Sequence, residues 1–228
     1  MKRETLQHIM YYLFDHITKT RFLGLENMPK EGRLIVATNH MSRIDIPVLF
    51  VNPVRPEITA LVADKYVNFP GLNWIIKTAG AVYLDRERAD FTAFREAQTM
   101  IKNGIAMGIA PEGTRSRTGQ LQEGKPGTIL LALRTGAQIV PVGLSGTDTA
   151  FRRLFTFRKP KITIRFGPPF EIRDLPRENR EAAMKEITDD ILCRIAVLLP
   201  PRYWGFYKDH PRLKELLAEQ GGPVEDQW

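Results

Sequence analysis

The spacing of hydrophobic residues along this chain changes between the period of a strand and the period of a helix. Short apolar runs predict six strands, at residues 33–38, 58–63, 81–85, 105–110, 138–144 and 161–166. Helical spacing predicts helices at residues 47–51, 70–78, 91–103, 128–135 and 177–199. Because strands and helices alternate, we predict an α/β fold with a mostly parallel central sheet of about six or seven strands, flanked by helices.

Residues 1–20 predict an amphipathic helix that has two interpretations. Its apolar residues recur at helical spacing, at Leu6, Ile9, Met10, Leu13, Phe14 and Ile17. Such a stripe is typical of a helix that packs on its own domain. It is also typical of a helix that lies in a membrane interface, and the basic residues on either side of it fit that interpretation as well.

The composition is that of an ordinary globular protein and excludes disordered, collagen-like and coiled-coil classes. Of the 228 residues, 43% are hydrophobic and 26% are charged. No Gly/Ser linker divides the chain, so we predict one domain over residues 1–228. It would consist of the amphipathic helix 1–20, a core 21–170 and a C-terminal helical region 171–228. The single cysteine, Cys193, excludes an intrachain disulfide and lies in a predicted amphipathic helix, which favours packing over a nucleophilic role.

The net charge of +7 is unevenly distributed along the chain. Residues 151–180 contain nine Lys or Arg and three Asp or Glu, with five phenylalanines among them. Such a segment predicts an anionic partner, which could be a phospholipid surface, an acidic carrier protein or a nucleic acid. A non-catalytic peripheral membrane or nucleic-acid-binding protein is therefore an alternative of a different class. Because no common RNA-binding signature is present, we expect no nucleic-acid partner.

Targeting signals are weak in this sequence. The opening residues lack the features of a signal peptide, and no run of about 18 uncharged apolar residues follows. We therefore expect no transmembrane helix and a peripheral location on the cytoplasmic side of the cell membrane. The sequence leaves the oligomeric state open.

Chemically active side chains follow four of the predicted strands. These are His40 and Asp45, Lys65, Arg86, and Glu112 with Arg115. Ligand sites of open α/β sheets lie beyond the carboxyl ends of the strands. If the strands are parallel, these six residues meet at one edge of the sheet.

His40 and Asp45 have the residue types of a general base and its orienting carboxylate. Their spacing of five does not match one helical face, so a turn must bring them together; Pro47 predicts that a helix opens after this turn. A carboxylate on one ring nitrogen fixes the tautomer and stabilises the imidazolium that forms, and the other nitrogen accepts a proton. A loop histidine beside a helix-capping aspartate is the ordinary alternative.

The remaining motifs indicate what the base would act on. No Gly-x-Ser-x-Gly nucleophile elbow is present, so the pair suggests a hydroxyl that belongs to the substrate. Lys65, Arg86 and Arg115 would suit phosphate oxygens, although both arginines could instead form ion pairs with neighbouring carboxylates. The four histidines are too scattered to predict a metal site.

Four blocks in order resemble the glycerophospholipid acyltransferase family, of the PlsC type. Asn39-His40-x4-Asp45 is similar to the family's catalytic His-x4-Asp motif. The segments Gly-Ala-Val-Tyr-Leu-Asp-Arg at 80–86, Pro-Glu-Gly-Thr-Arg-Ser at 111–116 and Val-Pro-Val at 140–142 resemble its second, third and fourth blocks. The resemblance covers roughly residues 20–170, and the combination of blocks is far more specific than His-x4-Asp alone.

The resemblance implies a role for each matching residue. His40 would be the base and Asp45 its partner. The acceptor's glycerol phosphate would be bound by Arg86, Glu112, Gly113, Thr114 and Arg115, with Lys65 as a looser match. Pro141 would shape the acyl-chain side of the site.

The implied reaction transfers a fatty acyl group from a thioester to the sn-2 hydroxyl of lysophosphatidic acid, giving phosphatidic acid. Acyl-CoA or acyl carrier protein would be the co-substrate, no cofactor or metal is expected, and an anionic membrane surface would be a partner. The same chemistry on another acceptor, glycerol-3-phosphate or a lyso-aminolipid, is the nearest alternative.

Overall fold

A computed structural model describes residues 1–85, 90–172, 174–176 and 178–225 of the chain. Its strands are β1 Lys19–Leu23, β2 Leu34–Thr38, β3 Thr59–Ala63, β4 Val82–Leu84, β5 Met107–Ile109, β6 Gln138–Ser145 and β7 Lys161–Phe166. Its α-helices are α1 Arg3–Ile17, α2 Asp45–Phe50, α3 Pro70–Thr78, α4 Phe91–Lys102, α5 Gly127–Thr135, α6 Ala150–Phe155, α7 Arg180–Ala196 and α8 Pro211–Gln220. Short 3-10 helices cover Leu25–Asn27, Asp64–Asn68, Pro201–Tyr203 and Gly205–Tyr207.

The seven strands form one sheet in the order β1-β7-β6-β2-β5-β3-β4. Five of the six strand pairs are parallel, and the pair of β6 with β7 is antiparallel. The prediction of an α/β fold with a mostly parallel sheet of six or seven strands is confirmed.

The alternation of side chains along the central strands divides the core between the two faces of the sheet. In β2, Ile35 and Ala37 pack with α4, α5 and α7, and α8 covers α7; we call this the packed face. Leu34 and Val36 point the other way, toward α1 and α2, and α3 covers the same side beside β3; we call this the cavity face. Both faces of β2 are apolar because both are covered, as expected of a parallel strand.

Each predicted strand and helix is present, within three residues at either end. Helix α2 begins at Asp45 rather than at Pro47, because a proline in the first turn has no intrahelical hydrogen bond to lose. The sequence interpretation missed β1, whose exposed and half-buried residues alternate, and the two helices α6 and α8.

The apolar stripe of α1 is buried in part and exposed in part. Leu6 is buried, while Met10 and Phe14 are half-buried against the domain. Ile9, Leu13 and Ile17 are 43–48% exposed on the outer side. The helix therefore packs on the domain with one apolar row and presents a second apolar row to the surroundings. Within the described residues, no helix is long and apolar enough to cross a membrane.

Candidate active site

Three neighbouring strands bring the predicted site residues to one edge of the sheet. β5 pairs in parallel with β2 on one side and with β3 on the other. His40 follows β2, Glu112 follows β5 and Lys65 follows β3, so all three leave the sheet at its carboxyl edge. Neighbouring strands lie about 5 Å apart, so these segments are adjacent there. We call this the catalytic edge.

His40 and Asp45 form a hydrogen-bonded pair at this edge. The His40 Nδ1 lies 2.9 Å from Asp45 Oδ2. The side chain of Asp45 is 2% exposed and that of His40 is 12% exposed. With Nδ1 donating to the carboxylate, Nε2 is left as the proton acceptor.

Asp45 is held in place by the turn that precedes α2. Its Oδ2 also accepts the backbone N–H groups of Met41 and Ser42, both at 2.7 Å. These bonds close the turn that the five-residue spacing requires, and they fix the carboxylate before it meets the imidazole. Asp45 therefore closes the turn and is hydrogen-bonded to His40, but it does not cap α2, which has no side-chain cap.

Glu112 fixes the backbone of the catalytic loop. Its Oε1 accepts the His40 backbone N–H at 2.9 Å, and its Oε2 accepts the backbone N–H of Gln122 at 2.9 Å. The residue is 1% exposed, and burial raises the pKa of the carboxyl to about 7. This differs from the predicted contact with the acceptor, because both oxygens are already bonded to the chain and the side chain does not line the large cavity described below.

Residues 111–116 are hydrogen-bonded to both the backbone N–H and the backbone carbonyl of His40. The backbone N–H of Ser116 donates to the His40 carbonyl at 2.8 Å, which complements the bond from His40 N–H to Glu112. Gly113 has a φ of +69°, and its N–H donates to the Ala110 carbonyl at 2.9 Å. The glycine makes the turn that buries Glu112 on one side and presents Thr114 and Arg115 on the other.

A cavity of about 370 Å³ opens beside His40 on the cavity face. Most of its wall is apolar and comes from α2, β3 and α3, with Met10 from α1. Its basic lining residues are His40 and four cations, namely Arg43, Lys65, Arg115 and Arg117. The cations come from the loops at the catalytic edge, so the cavity joins a basic mouth to an apolar interior.

The structure places the other predicted site residues as follows. Lys65, Thr114 and Arg115 line the large cavity, and Gly113 lines a smaller one of about 70 Å³ beside Asp45. Arg86 lies outside the described residues. Arg43 and Arg117 were missed, although the sequence offers a signal: one lies inside the His-x4-Asp spacing and the other two residues after Arg115.

Pro141 lies on the opposite side of the sheet from the cavity. It is buried in β6 between Val140 and Val142, whose side chains pack in the core of the cavity face. Because strand side chains alternate, Pro141 points to the packed face, where a β-carbon on Gly167 would lie 3.0 Å from its Cγ and 3.1 Å from Leu198. This differs from the predicted place beside the acyl chain.

A model of the acyltransferase family matches residues 19–145 of the chain, from β1 to the end of β6. The chain belongs to the acyltransferase family. The matched range contains the His40–Asp45 pair, Lys65 and the segment from Glu112 to Arg117. The acyltransferase match thus covers the described site residues of the catalytic edge and all of the cavity lining except Met10.

Relatives of this acyltransferase come from distant organisms. A 1-acyl-sn-glycerol-3-phosphate acyltransferase of Borreliella burgdorferi is 28% identical over 77% of this chain and 71% of its own length. The protein of the same name from Limnanthes douglasii is 35% identical over 73% of this chain and 59% of its own length. The crystal structure of PlsC from Thermotoga maritima, a 1-acyl-sn-glycerophosphate acyltransferase, matches with a TM-score of 0.64 and 25% identity, over 83% of this chain and 76% of that one.

Proposed function

We propose that this acyltransferase transfers a fatty acyl group from a thioester to the sn-2 hydroxyl of lysophosphatidic acid. The observation that carries the proposal is the position of the His40–Asp45 pair, between a basic mouth and an apolar cavity. A lysophosphatidate and a fatty acyl thioester each combine an anionic group with a long apolar chain. The names of the relatives described above support the same acceptor.

His40 acts as the general base of this reaction. Its Nε2 takes the proton of the acceptor hydroxyl as that oxygen attacks the thioester carbonyl. The carbon–sulfur bond then breaks, and the imidazolium returns the proton to the leaving sulfur. Asp45 stabilises the imidazolium during the step, and general-base assistance of this kind contributes about 10² to 10⁴ in rate.

The basic mouth positions the acceptor. Arg115 and Lys65 come from two different loops, so a phosphate between them would be bound from two sides. The arginine fork suits phosphate oxygens bidentately, and lysine adds a point charge. Because the phosphate is held, the sn-2 hydroxyl stays near Nε2, and this positioning lowers the barrier by several kcal/mol.

The apolar cavity takes a fatty acyl chain of the substrates. Its walls include Leu49, Ala60, Val62, Leu72 and Ile76, with no acidic residue among the described lining. Burial of a chain there would release water from both surfaces, at about 0.8 kcal/mol for each methylene. Either acyl-CoA or acyl carrier protein would deliver this chain.

The apolar exterior around the cavity suits a peripheral position on a membrane. The outer row of α1 is exposed, and so are Phe69, Leu72 and Trp74 at the start of α3. Both helices also contribute to the cavity wall, through Met10 and Leu72. A lipid substrate could therefore enter from a bilayer without crossing water.

The test uses purified protein, lysophosphatidic acid in mixed micelles and palmitoyl-CoA, with release of free thiol followed beside formation of the lipid product. His40→Ala is the paired control. We expect thiol release that requires the acceptor, and a loss of at least about 10²-fold in kcat for the variant, with unchanged thermal unfolding. A variant that keeps near-normal turnover would contradict the mechanism.

Two further comparisons identify the substrates. Palmitoyl carrier protein replaces palmitoyl-CoA to identify the donor, and glycerol-3-phosphate or a lyso-aminolipid replaces the acceptor. Arg115→Ala should mainly raise the KM for lysophosphatidic acid. If only kcat falls in that variant, Arg115 does not bind the phosphate, and if thiol is released without an acceptor, the reaction is hydrolysis.

A further inference from the structure

The segment between β6 and β7 leaves and re-enters the sheet at the catalytic edge. β6 ends at this edge, at Ser145. The backbone N–H and carbonyl of the preceding residue, Leu144, are both hydrogen-bonded to the side chain of Asn39, which is next to His40. β7 is antiparallel to β6 and so begins at the same edge, at Lys161. The chain between them, including α6, therefore runs along the edge where the reaction occurs, beyond the range that the family model matches.

Two phenylalanines of this segment are almost completely exposed. Phe155, the last residue of α6, is 83% exposed, and Phe157 is 100% exposed. Phe157 also has a φ of +53°, in the left-handed region that costs energy for a residue with a β-carbon. The segment thus holds a large apolar side chain outward in an unfavourable backbone conformation, although the core offers no contact in return.

Cations flank these phenylalanines in the sequence. Arg152, Arg158 and Lys159 are exposed, and none of them forms an ion pair with a described residue. Residues 149–160 contain no acidic residue. We call Arg152, Phe155, Phe157, Arg158 and Lys159 the edge patch.

The edge patch adjoins the outer row of α1. The backbone N–H of Lys19, two residues after the end of α1, donates to the Pro160 carbonyl at 2.7 Å, directly beyond Lys159. Leu13 and Ile17, in the last turns of α1, are 48% and 43% exposed. The end of α1 and the end of the edge patch are therefore neighbours in space.

We propose that the edge patch docks on a bilayer that contains anionic phospholipid, and that it holds the catalytic edge against that surface. Phe155 and Phe157 enter the boundary between headgroups and acyl chains, while the three cations meet lipid phosphates. The purpose of this docking rests on the proposed function, but the binding itself does not. Full exposure favours a bilayer over an acidic protein, since a bilayer accepts a side chain without a complementary pocket.

The test measures binding of the whole chain to sedimented vesicles, in the His40→Ala background so that no turnover occurs. Vesicles are made of phosphatidylcholine alone or with added phosphatidylglycerol, at low and raised salt. One variant is Phe155→Ser with Phe157→Ser, and a second is Arg152→Gln with Lys159→Gln. The matched control, Lys30→Gln with Lys102→Gln, removes the same charge from exposed lysines at the opposite edge of the sheet.

We expect the phenylalanine variant to lose at least about ten-fold in binding to anionic vesicles. The Arg152/Lys159 variant should lose about five-fold for each cation and show a weaker salt dependence. The control should bind as the unsubstituted chain does. With His40 restored, the phenylalanine variant should keep its kcat in detergent micelles, so that a failure of docking is distinguishable from a failure of the proposed function.

Three results would overturn the proposal. One is unchanged vesicle binding by the phenylalanine variant. Another is an equal loss in the Lys30/Lys102 control, which would show that net charge alone attracts the protein. The third is an edge-patch variant that binds vesicles normally but has a raised KM for the acylated carrier protein and an unchanged KM for acyl-CoA. That result would make the edge patch a binding site for the carrier protein.

Discussion

The two faces of the sheet differ in how completely they are filled. On the packed face, α7 ends so close to β6 that a β-carbon on Gly143 would lie 2.9 Å from that of Leu198. On the cavity face, α1, α2 and α3 surround a space of about 370 Å³ next to His40. The comparison teaches that one side of these strands is filled by its own helices, whereas the other side keeps the space in which we propose that substrate binds.

The two faces differ because an unfilled space in the core lowers the stability of the fold. Filling the interior contributes dispersion and hydrophobic free energy, and a void beside apolar side chains forfeits it. The packed face meets this requirement with buried residues from α4, α5, α7 and α8. The cavity face leaves room for a ligand, and its helices keep apolar residues exposed outside as well as along the cavity.

The largest effect on stability should come from the packed face. Leu192 of α7 is 0% exposed, and Leu192→Ala should lower the free energy of unfolding by about 2–5 kcal/mol, because it leaves a void in a filled core. Urea denaturation measures this loss. Activity per folded molecule should stay near normal.

Leu72→Ala is the matched control on the cavity face. Leu72 is 41% exposed and lines the cavity, so its truncation should change the free energy of unfolding by less than about 1 kcal/mol. Equal losses for the two leucines would contradict the difference between the faces.

A smaller loss of stability is expected from a change at Glu112, which holds the backbone of the catalytic loop. Glu112→Gln replaces one of the two oxygens that accept backbone N–H groups with an NH2 group, which cannot accept, so stability should fall by about 1–3 kcal/mol at pH 8. The kcat should fall as well, because the His40 backbone loses its support. Urea denaturation and steady-state kinetics measure the two effects.

The pH dependence of the same variant provides the control. Burial raises the pKa of Glu112 to about 7 from an ordinary value of 4.5, so the folded chain holds the proton more tightly than the unfolded chain. The contribution of this group to stability is therefore largest below about pH 4.5 and is lost as the pH rises through 7. Between pH 5 and pH 8 the unsubstituted chain should lose stability relative to Glu112→Gln, which has no carboxyl at this position to ionise. If the free energies of unfolding of the two proteins change in parallel with pH, the burial of an ionisable group here is contradicted.

The smallest effect on stability should come from filling the cavity. Ala60 of β3 lines it, and Ala60→Val adds two methyl groups on a strand, where a β-branched residue is well accommodated. We expect a change in unfolding free energy of less than about 1 kcal/mol. The measurement is kcat/KM for a series of acyl-CoA chain lengths, which should fall for the longest chains while the shortest are unaffected; an equal fall for all lengths would place the acyl chain elsewhere.

Much of the fold follows from local patterns. The segments that became β2, β3, β5 and β6 are continuous apolar runs, which is the pattern of strands covered on both faces. β1 escaped prediction because it is at the edge of the sheet and carries Lys19 and Arg21 among its apolar residues. Its pairing with β7, more than a hundred residues away, stabilises it, and no local pattern shows that pairing.

The position of the candidate site was predicted from the sequence better than the contacts that its residues make. The residue types and the strand ends brought His40, Asp45, Lys65 and Arg115 together correctly. Glu112 had the chemistry of a ligand-binding residue, but the turn at Gly113 directs its carboxylate inward, onto the His40 and Gln122 amides. Arg43 and Arg117 became candidates only when the cavity showed which loops surround it.

The sequence by itself predicted most of the strands and helices in their order, the candidate pair of His40 and Asp45, and the acyltransferase family, because these depend on residue types and their spacing along the chain. The tertiary structure decided which side of each strand is filled, which is why Pro141 points away from the cavity and α1 divides its apolar stripe between the domain and the exterior. Burial and cavities depend on contacts between segments far apart in the chain. Those contacts exist only once the sheet is assembled.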